Sequence, residues 1–246
     1  MNHQPDPARR SFLTTTAAGA ASVALATAAA AAGDPKDTMS NVPAFQGSEN
    51  PKSLPFDPAK LNGLSERLIR SHWENNYGGS VKALAVVKKR LAQALGDKDL
   101  PPYLYNDLKR EHLLRTGSVV FHEFYFENLG GNGRAGAADR QAIAQAFGSF
   151  DAWETEFRRI GAGLGGGSGW VVLGFNQHTR QLENYWMADH AHGPAATAPI
   201  LVMDMYEHSY QMDFGAAAAK YIDAFFQNIQ WDAVSARLKA SGHGAA

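Results

Sequence analysis

Apolar residues three and four positions apart dominate the first half of the chain, and alternation or short continuous apolar runs take over in the second. Ser65 stands as an N-cap before "ERLIRSHWENNY", where Leu68, Ile69 and His72 fall at i, i+1 and i+4. His72 therefore lies on the buried stripe, with Trp73 beside it. Gly78-Gly79 predict a kink. Helical spacing then resumes through Leu84, Val87, Leu91 and Leu95 and stops at Gly96. Pro101-Pro102 mark a turn, and a further helix reaches Leu129 before Gly130-Gly131 end it. Val119, His122, Phe126 and Leu129 recur at i, i+3, i+7 and i+10, which puts His122 on an apolar stripe as well. The pattern predicts two long antiparallel helices, each with one inward histidine.

Beyond them, residues 139–147 and 149–160 read as two helices, the second capped by Ser149. "GAGLGGGSGW" lacks the Lys-Ser/Thr of a phosphate loop and does not follow a strand. Its glycines instead let the backbone pass close to a packed aromatic, Trp170. Trp170–Phe175 and Leu182–Met187 flank the turn "NQHTR" and predict a hairpin. Ile200–Met203 is a continuous apolar run, the length of one buried strand, and it ends on Asp204. Tyr221–Ile229 and Trp231–Leu238 close the pattern as helices. The predicted class is α+β: an N-terminal antiparallel helical hairpin plus a C-terminal domain of a three-stranded antiparallel sheet flanked by helices.

Composition narrows the chemistry. The chain has 246 residues, a formal net charge of -1 and 0 cysteines. No global field recruits nucleic acid or acidic membranes. Disulfides, cysteine-ligated zinc and iron–sulfur clusters are excluded. A metal would have to be held by His, Asp and Glu, a shell suited to iron, manganese or zinc. The N-terminal "PARRSFLTTTAAGAASVALATAAAAA" places Arg9-Arg10 before Ser11-Phe12-Leu13 and a weakly apolar alanine-rich run. It resembles a twin-arginine export signal with cleavage near Ala32, not a membrane span. The expected divisions are 1–32 signal peptide, 33–53 linker, 54–133 helical-hairpin domain and 134–242 α/β metal-binding domain. The address implies a periplasmic or secreted protein with no membrane association after cleavage.

Asp204 is the residue that raises the question of chemistry. A carboxylate where a buried strand emerges is costly unless charge or a metal compensates it. His208 follows four residues later, with Glu207 between them. Taken alone, this spacing also describes a solvated loop. The inward His72 and His122 supply the partners a metal would need.

In order along the chain, "ERLIRSHW", "VVFHEFYFENL", "FGSFDAWETEF" with "GSGW", "DMYEHSY" and "YIDAFFQNIQWDAV" resemble the iron/manganese superoxide dismutase family, from about Leu54 to Leu238. The resemblance implies a dismutase that converts superoxide to dioxygen and hydrogen peroxide at one Fe or Mn ion per subunit, in a homodimer or homotetramer. It implies His72, His122, Asp204 and His208 as metal ligands, Trp170 as the aromatic wall and Tyr125 as the tyrosine that follows the second ligand. The family's D-x-W-E-H stands here with Tyr206 for Trp. Glu207 is implied to reach the partner subunit's His208. The group that hydrogen-bonds the metal's solvent is a Gln or His in the family. The iron-type Gln position is Ser118 here, and the manganese-type position falls within "WMADHAHGP", so His190 is assigned, with His192 as the alternate. The family's channel His and Tyr after the first ligand are Asn76 and Ser80, and a downstream channel Tyr is Gln211. Tyr77 lies at a different helical angle from Ser80 and is not assigned. These departures leave open a catalytically weakened, metal-binding envelope member of the same family. A mononuclear iron oxygenase ranks below both, for want of a cosubstrate-binding Arg or Lys. His3, His112, His178 and His243 are expected at the surface.

Overall fold

The computed structural model describes residues 41–242, which lie within one compact unit. The expected signal peptide, with His3, and the terminal His243 lie outside the described residues. Within the stretch expected as a linker, Pro43–Phe45 form a 3-10 turn, and Lys88 Nζ donates to the Gln46 carbonyl at 2.7 Å.

Ser65 caps α1 (Glu66–Ser71) by accepting from the Leu68 amide, as its position predicts. The helix does not then run regularly to a kink at Gly78-Gly79. The irregularity falls one turn earlier, in a π segment, His72–Tyr77, after which α2 (Gly78–Leu95) resumes. The Gly78 amide bonds the Trp73 carbonyl, five residues back. The segment carries two buried side chains five residues apart, His72 and Tyr77. The sequence pattern places the glycines correctly but cannot show the extra residue per turn. Leu95, expected on the inner stripe, is exposed because α2 ends there.

After the prolines, α3 (Pro102–Glu127) runs back along α2, with His122, Phe126 and Leu129 buried. The hairpin is thus antiparallel, as expected. Next come α4 (Ala137–Phe147) and α5 (Phe150–Leu164), the latter capped by Ser149. Three strands follow, β1 (Trp170–Asn176), β2 (Gln181–Met187) and β3 (Thr197–Asp204), in the order β2-β1-β3 and antiparallel throughout. The chain closes with α6 (Gln211–Phe214), α7 (Ala218–Gln227) and α8 (Trp231–Ala240).

Two features of the sheet position the site. Register sets Trp170 opposite Asp204 on one side and Met187 on the other. Gly169 enters β1 at φ +141°, and a β-carbon there would meet the Met187 carbonyl oxygen, so only glycine lets the strand start so close to its neighbour. One cluster of buried side chains then joins the hairpin (Leu68, Ile69, Tyr125, Phe126) to the sheet (Trp170, Leu201, Met203) and to α7 and α8 (Phe225, Val234).

Candidate metal centre

Four elements deliver the candidate ligands to one point. His72 begins the π segment, His122 lies in α3, Asp204 ends β3, and His208 sits in the 3-10 turn Glu207–Ser209. One donor atom from each lies within 4.8 Å of all the others. Asp204 Oδ2 is the hub, at 3.2 Å from His72 Nε2, 3.6 Å from His122 Nε2 and 3.3 Å from His208 Nε2. Asp204, His72 and His122 are buried, and His208 is partly open.

The buried nitrogens say what is needed there. His72 Nε2 and His122 Nε2 have no hydrogen-bond partner. Leaving such atoms unpaired in a dry site is costly. A cation bound between them and the carboxylate would satisfy both nitrogens and the charge at once, so the donor set fits a metal of the N/O class. His122 is oriented for this role, because its Nδ1 donates to the Ser118 carbonyl at 2.7 Å and so leaves Nε2 as the lone-pair nitrogen. His72 is held instead by rings: His122, Tyr125, Phe126 and His208 have centroids at 5.0, 5.1, 5.0 and 4.7 Å.

The electrostatics agree. Burial holds His72 below the usual imidazole value, against the pull of Asp204, and pushes His122 down to about 3. Burial alone would raise Asp204, but His208 and His72 beside it together hold it well below the usual carboxylate range. His72 and His122 are therefore poised as neutral rings beside an anionic oxygen. Asp204 Oδ1 accepts from the Tyr206 amide at 2.8 Å, and its backbone carbonyl accepts from the Ser209 and Tyr221 hydroxyls at 3.0 and 2.7 Å.

Around this cluster the structure places the other expected residues. Trp170 is fully buried, 5.1 Å from the His122 ring, and its Nε1 donates to His190 Nδ1 at 3.0 Å. An indole N–H only donates, so Nδ1 is the acceptor and the neutral His190 carries its proton on Nε2. The ring is half-buried, 5.8 Å from His122, and stacks on Tyr206 at 4.6 Å and 14°. Burial lowers its pKa, with Asp204 opposing. His192 is exposed and bonds Asp189 at 2.8 Å, so of the two histidines only His190 is brought to the cluster. Tyr125 is buried against His72, its hydroxyl 3.3 Å from that of Tyr221. Glu207 is exposed.

The departures also find places. Ser80 and Ser118 are both buried, with hydroxyls 2.8 Å apart, and Ser118 Oγ lies 3.3 Å from His122 Nδ1. Asn76 is half-buried, and Gln211 is exposed. The Tyr77 ring lies 6.2 Å from that of His122, but its hydroxyl donates to Glu123 at 3.0 Å and accepts from the Lys52 amide at 2.9 Å, and burial raises its pKa to about 12. His178 is exposed as expected, whereas His112 is half-buried, with Lys109 Nζ at 3.4 Å.

Sequence reasoning missed Tyr221. Its hydroxyl joins α7 to the backbone of Asp204 and to Tyr125. The available signal was a tyrosine one turn before Phe225 on a strongly apolar helix face, where a hydroxyl needs an inward partner.

Residues 136–237 match the family described as iron/manganese superoxide dismutases, C-terminal domain. The chain is 50% identical over 190 residues to a protein of Cupriavidus metallidurans named superoxide dismutase (Fe), a span of 77% of this chain and 96% of that one. It is 32% identical over 189 residues to the superoxide dismutase (Fe) of Aquifex aeolicus, covering 74% and 87%. It is 29% identical over 192 residues to superoxide dismutase (Mn) 2 of Haloferax volcanii, covering 76% and 93%.

Proposed function

We infer, from the premise that this chain belongs to the iron/manganese superoxide dismutase family, that it is a superoxide dismutase using one iron or manganese ion per chain. The observation that carries the reading is Asp204 Oδ2 facing three imidazole Nε2 atoms at 3.2, 3.6 and 3.3 Å, two of them otherwise unpaired. His72, His122, Asp204 and His208 would hold the ion. Such an ion supplies a one-electron couple lying between the two reactions of superoxide, so two superoxide anions and two protons give one dioxygen and one hydrogen peroxide.

The protein's part is geometric and electrostatic. One carboxylate among neutral rings leaves net positive charge for an anionic substrate. Trp170 holds His190 in the tautomer with the proton on Nε2, and that N–H is the donor we assign to solvent on the ion. The rings of Trp170, Tyr206 and Phe126 keep bulk water from the ligands. Neither Ser80 nor Asn76 titrates near neutrality, so protons for peroxide reach the site through His190 or by water.

The assembly we propose is a homodimer or homotetramer in which Glu207 reaches the partner subunit's His208. Residues 1–32 are a twin-arginine-like signal and 33–53 a linker, and the protein acts in the periplasm or outside the cell. The hairpin domain at 54–133 and the metal-binding domain at 134–242 share one core. No helix among the described residues is long and apolar enough to cross a membrane.

The test is superoxide decay followed directly with metal-replete protein. Rapid dismutation is expected with iron or manganese bound. Full metal occupancy without dismutation would leave the weakened, metal-holding reading, which Ser80 at the family's tyrosine position and Asn76 at its histidine position favour.

A further inference from the structure

Gly117 sits inside α3, where a glycine costs about 1 kcal/mol relative to alanine and so calls for a reason. The reason is a backbone from elsewhere in the chain. A β-carbon added at Gly117 would overlap the carbonyl oxygen of His190 and lie 2.8 Å from its carbonyl carbon and 3.5 Å from its Cα. These are main-chain atoms and cannot swing aside as the end of a flexible side chain could. The loop carrying His190 is thus seated directly on α3, five residues before His122 on the same helix. The imidazole is then fixed on two further sides, by the Trp170 indole N–H at 3.0 Å and by Tyr206 stacked at 4.6 Å.

We propose that Gly117 is a positioning and specificity-determining residue, whose missing side chain sets how far His190 reaches over the four candidate ligands. The distance between the His190 donor and solvent on the ion governs how strongly one oxidation state is favoured over the other. Gly117 therefore sets which of iron or manganese works in this chain. The proposal rests on reading His190 as the group that faces that solvent.

The experiment compares Gly117→Ala with Gly163→Ala, His190→Ala and the Gly117→Ala/His190→Ala double variant, each as the iron-loaded holoprotein and, for the rates, also as the manganese-loaded one. Gly163, inside α5, has nothing within 4 Å of an added β-carbon, so it makes the same chemical change in open space. The readouts are the ferric electron paramagnetic resonance lineshape, the midpoint potential, and the ratio of iron- to manganese-supported rates. Gly117→Ala is expected to retain metal, to change the lineshape and potential, and to move the rate ratio by roughly tenfold. Gly163→Ala should match the wild type, and Gly117→Ala should add nothing once His190 is alanine. A lineshape and potential unchanged in Gly117→Ala, or changed equally with and without the His190 ring, would overturn the proposal. If Gly117→Ala does not accumulate, Trp170→Phe frees the same imidazole without added volume. A lineshape shift that needs His190 then supports the clamp, and a shift independent of His190, or none, overturns it. Inactivity of the wild-type holoprotein would instead count against the dismutase reading, because the spectroscopic comparison does not depend on turnover.

Discussion

Asp204 carries a double burden: its Oδ2 is the atom on which three imidazoles converge, and its backbone carbonyl ties β3 to Tyr221 and Ser209. Asp204→Ala removes the only anion among the four and is expected to reduce the metal content of the purified protein to background, measured by elemental analysis. Retained stoichiometric metal would show that the three histidines suffice. His190→Gln keeps an amide donor and an oxygen able to accept from Trp170, so the metal is expected to stay while the preferred metal or the rate changes, by roughly tenfold. Unchanged rates with both metals would remove His190 from the neighbourhood of the solvent. These residues were legible because each interrupts an apolar pattern: His72 and His122 occupy buried stripes, and Asp204 ends a buried run. Tyr221 was not, since its hydroxyl finds its partners only across the folded molecule.

At the level of elements, the hairpin and the sheet must hold fixed relative positions for His72 and His122 to meet Asp204. Asn128, fully buried at the end of α3, is one joint between them. Its Nδ2 donates to the Val202 carbonyl at 2.8 Å, its Oδ1 accepts from Arg237 of α8 at 2.5 Å, and its own carbonyl accepts from the Gln230 amide at 2.6 Å. Asn128→Ala strands two of those partners and is expected to lower stability by about 2–3 kcal/mol, read from denaturant unfolding of the holoprotein. A loss below about 0.5 kcal/mol would show that the joint is redundant. Element identity and order were readable from periodicity and glycine punctuation. The π segment at His72–Tyr77 was not, because an apolar pattern tuned to 3.6 residues per turn does not register one extra residue. Tyr77, which closes that segment, places its hydroxyl against Lys52 and Glu123.

For the whole molecule, the burial of the candidate ligands is expected to make the metal-free protein acid-labile. An unfolded histidine takes up its proton near pH 6.5, whereas folded His122 does so only at about 3. Between those values the unfolded chain holds more protons, so stability is full above about pH 6.5 and falls as pH drops, by up to roughly 5 kcal/mol for this group. His72 is lowered in the same sense, and Asp204, held below the usual carboxylate range, adds to the loss at lower pH. The melting temperature of the metal-stripped protein is expected to decline steadily on acidification through that window, and a rise would contradict the neutral-ring assignment. The docking of hairpin on sheet is the part of the architecture that local pattern could not supply, for it depends on the shared core and on joints such as Asn128. The central claim is that four side chains distant in sequence hold one ion, and anomalous diffraction at the iron and manganese edges from crystals of metal-replete protein tests it most directly. A single peak per chain, at bonding distance from His72 Nε2, His122 Nε2, His208 Nε2 and Asp204 Oδ2, is the predicted result. A peak elsewhere, or none among these four atoms, would contradict the account.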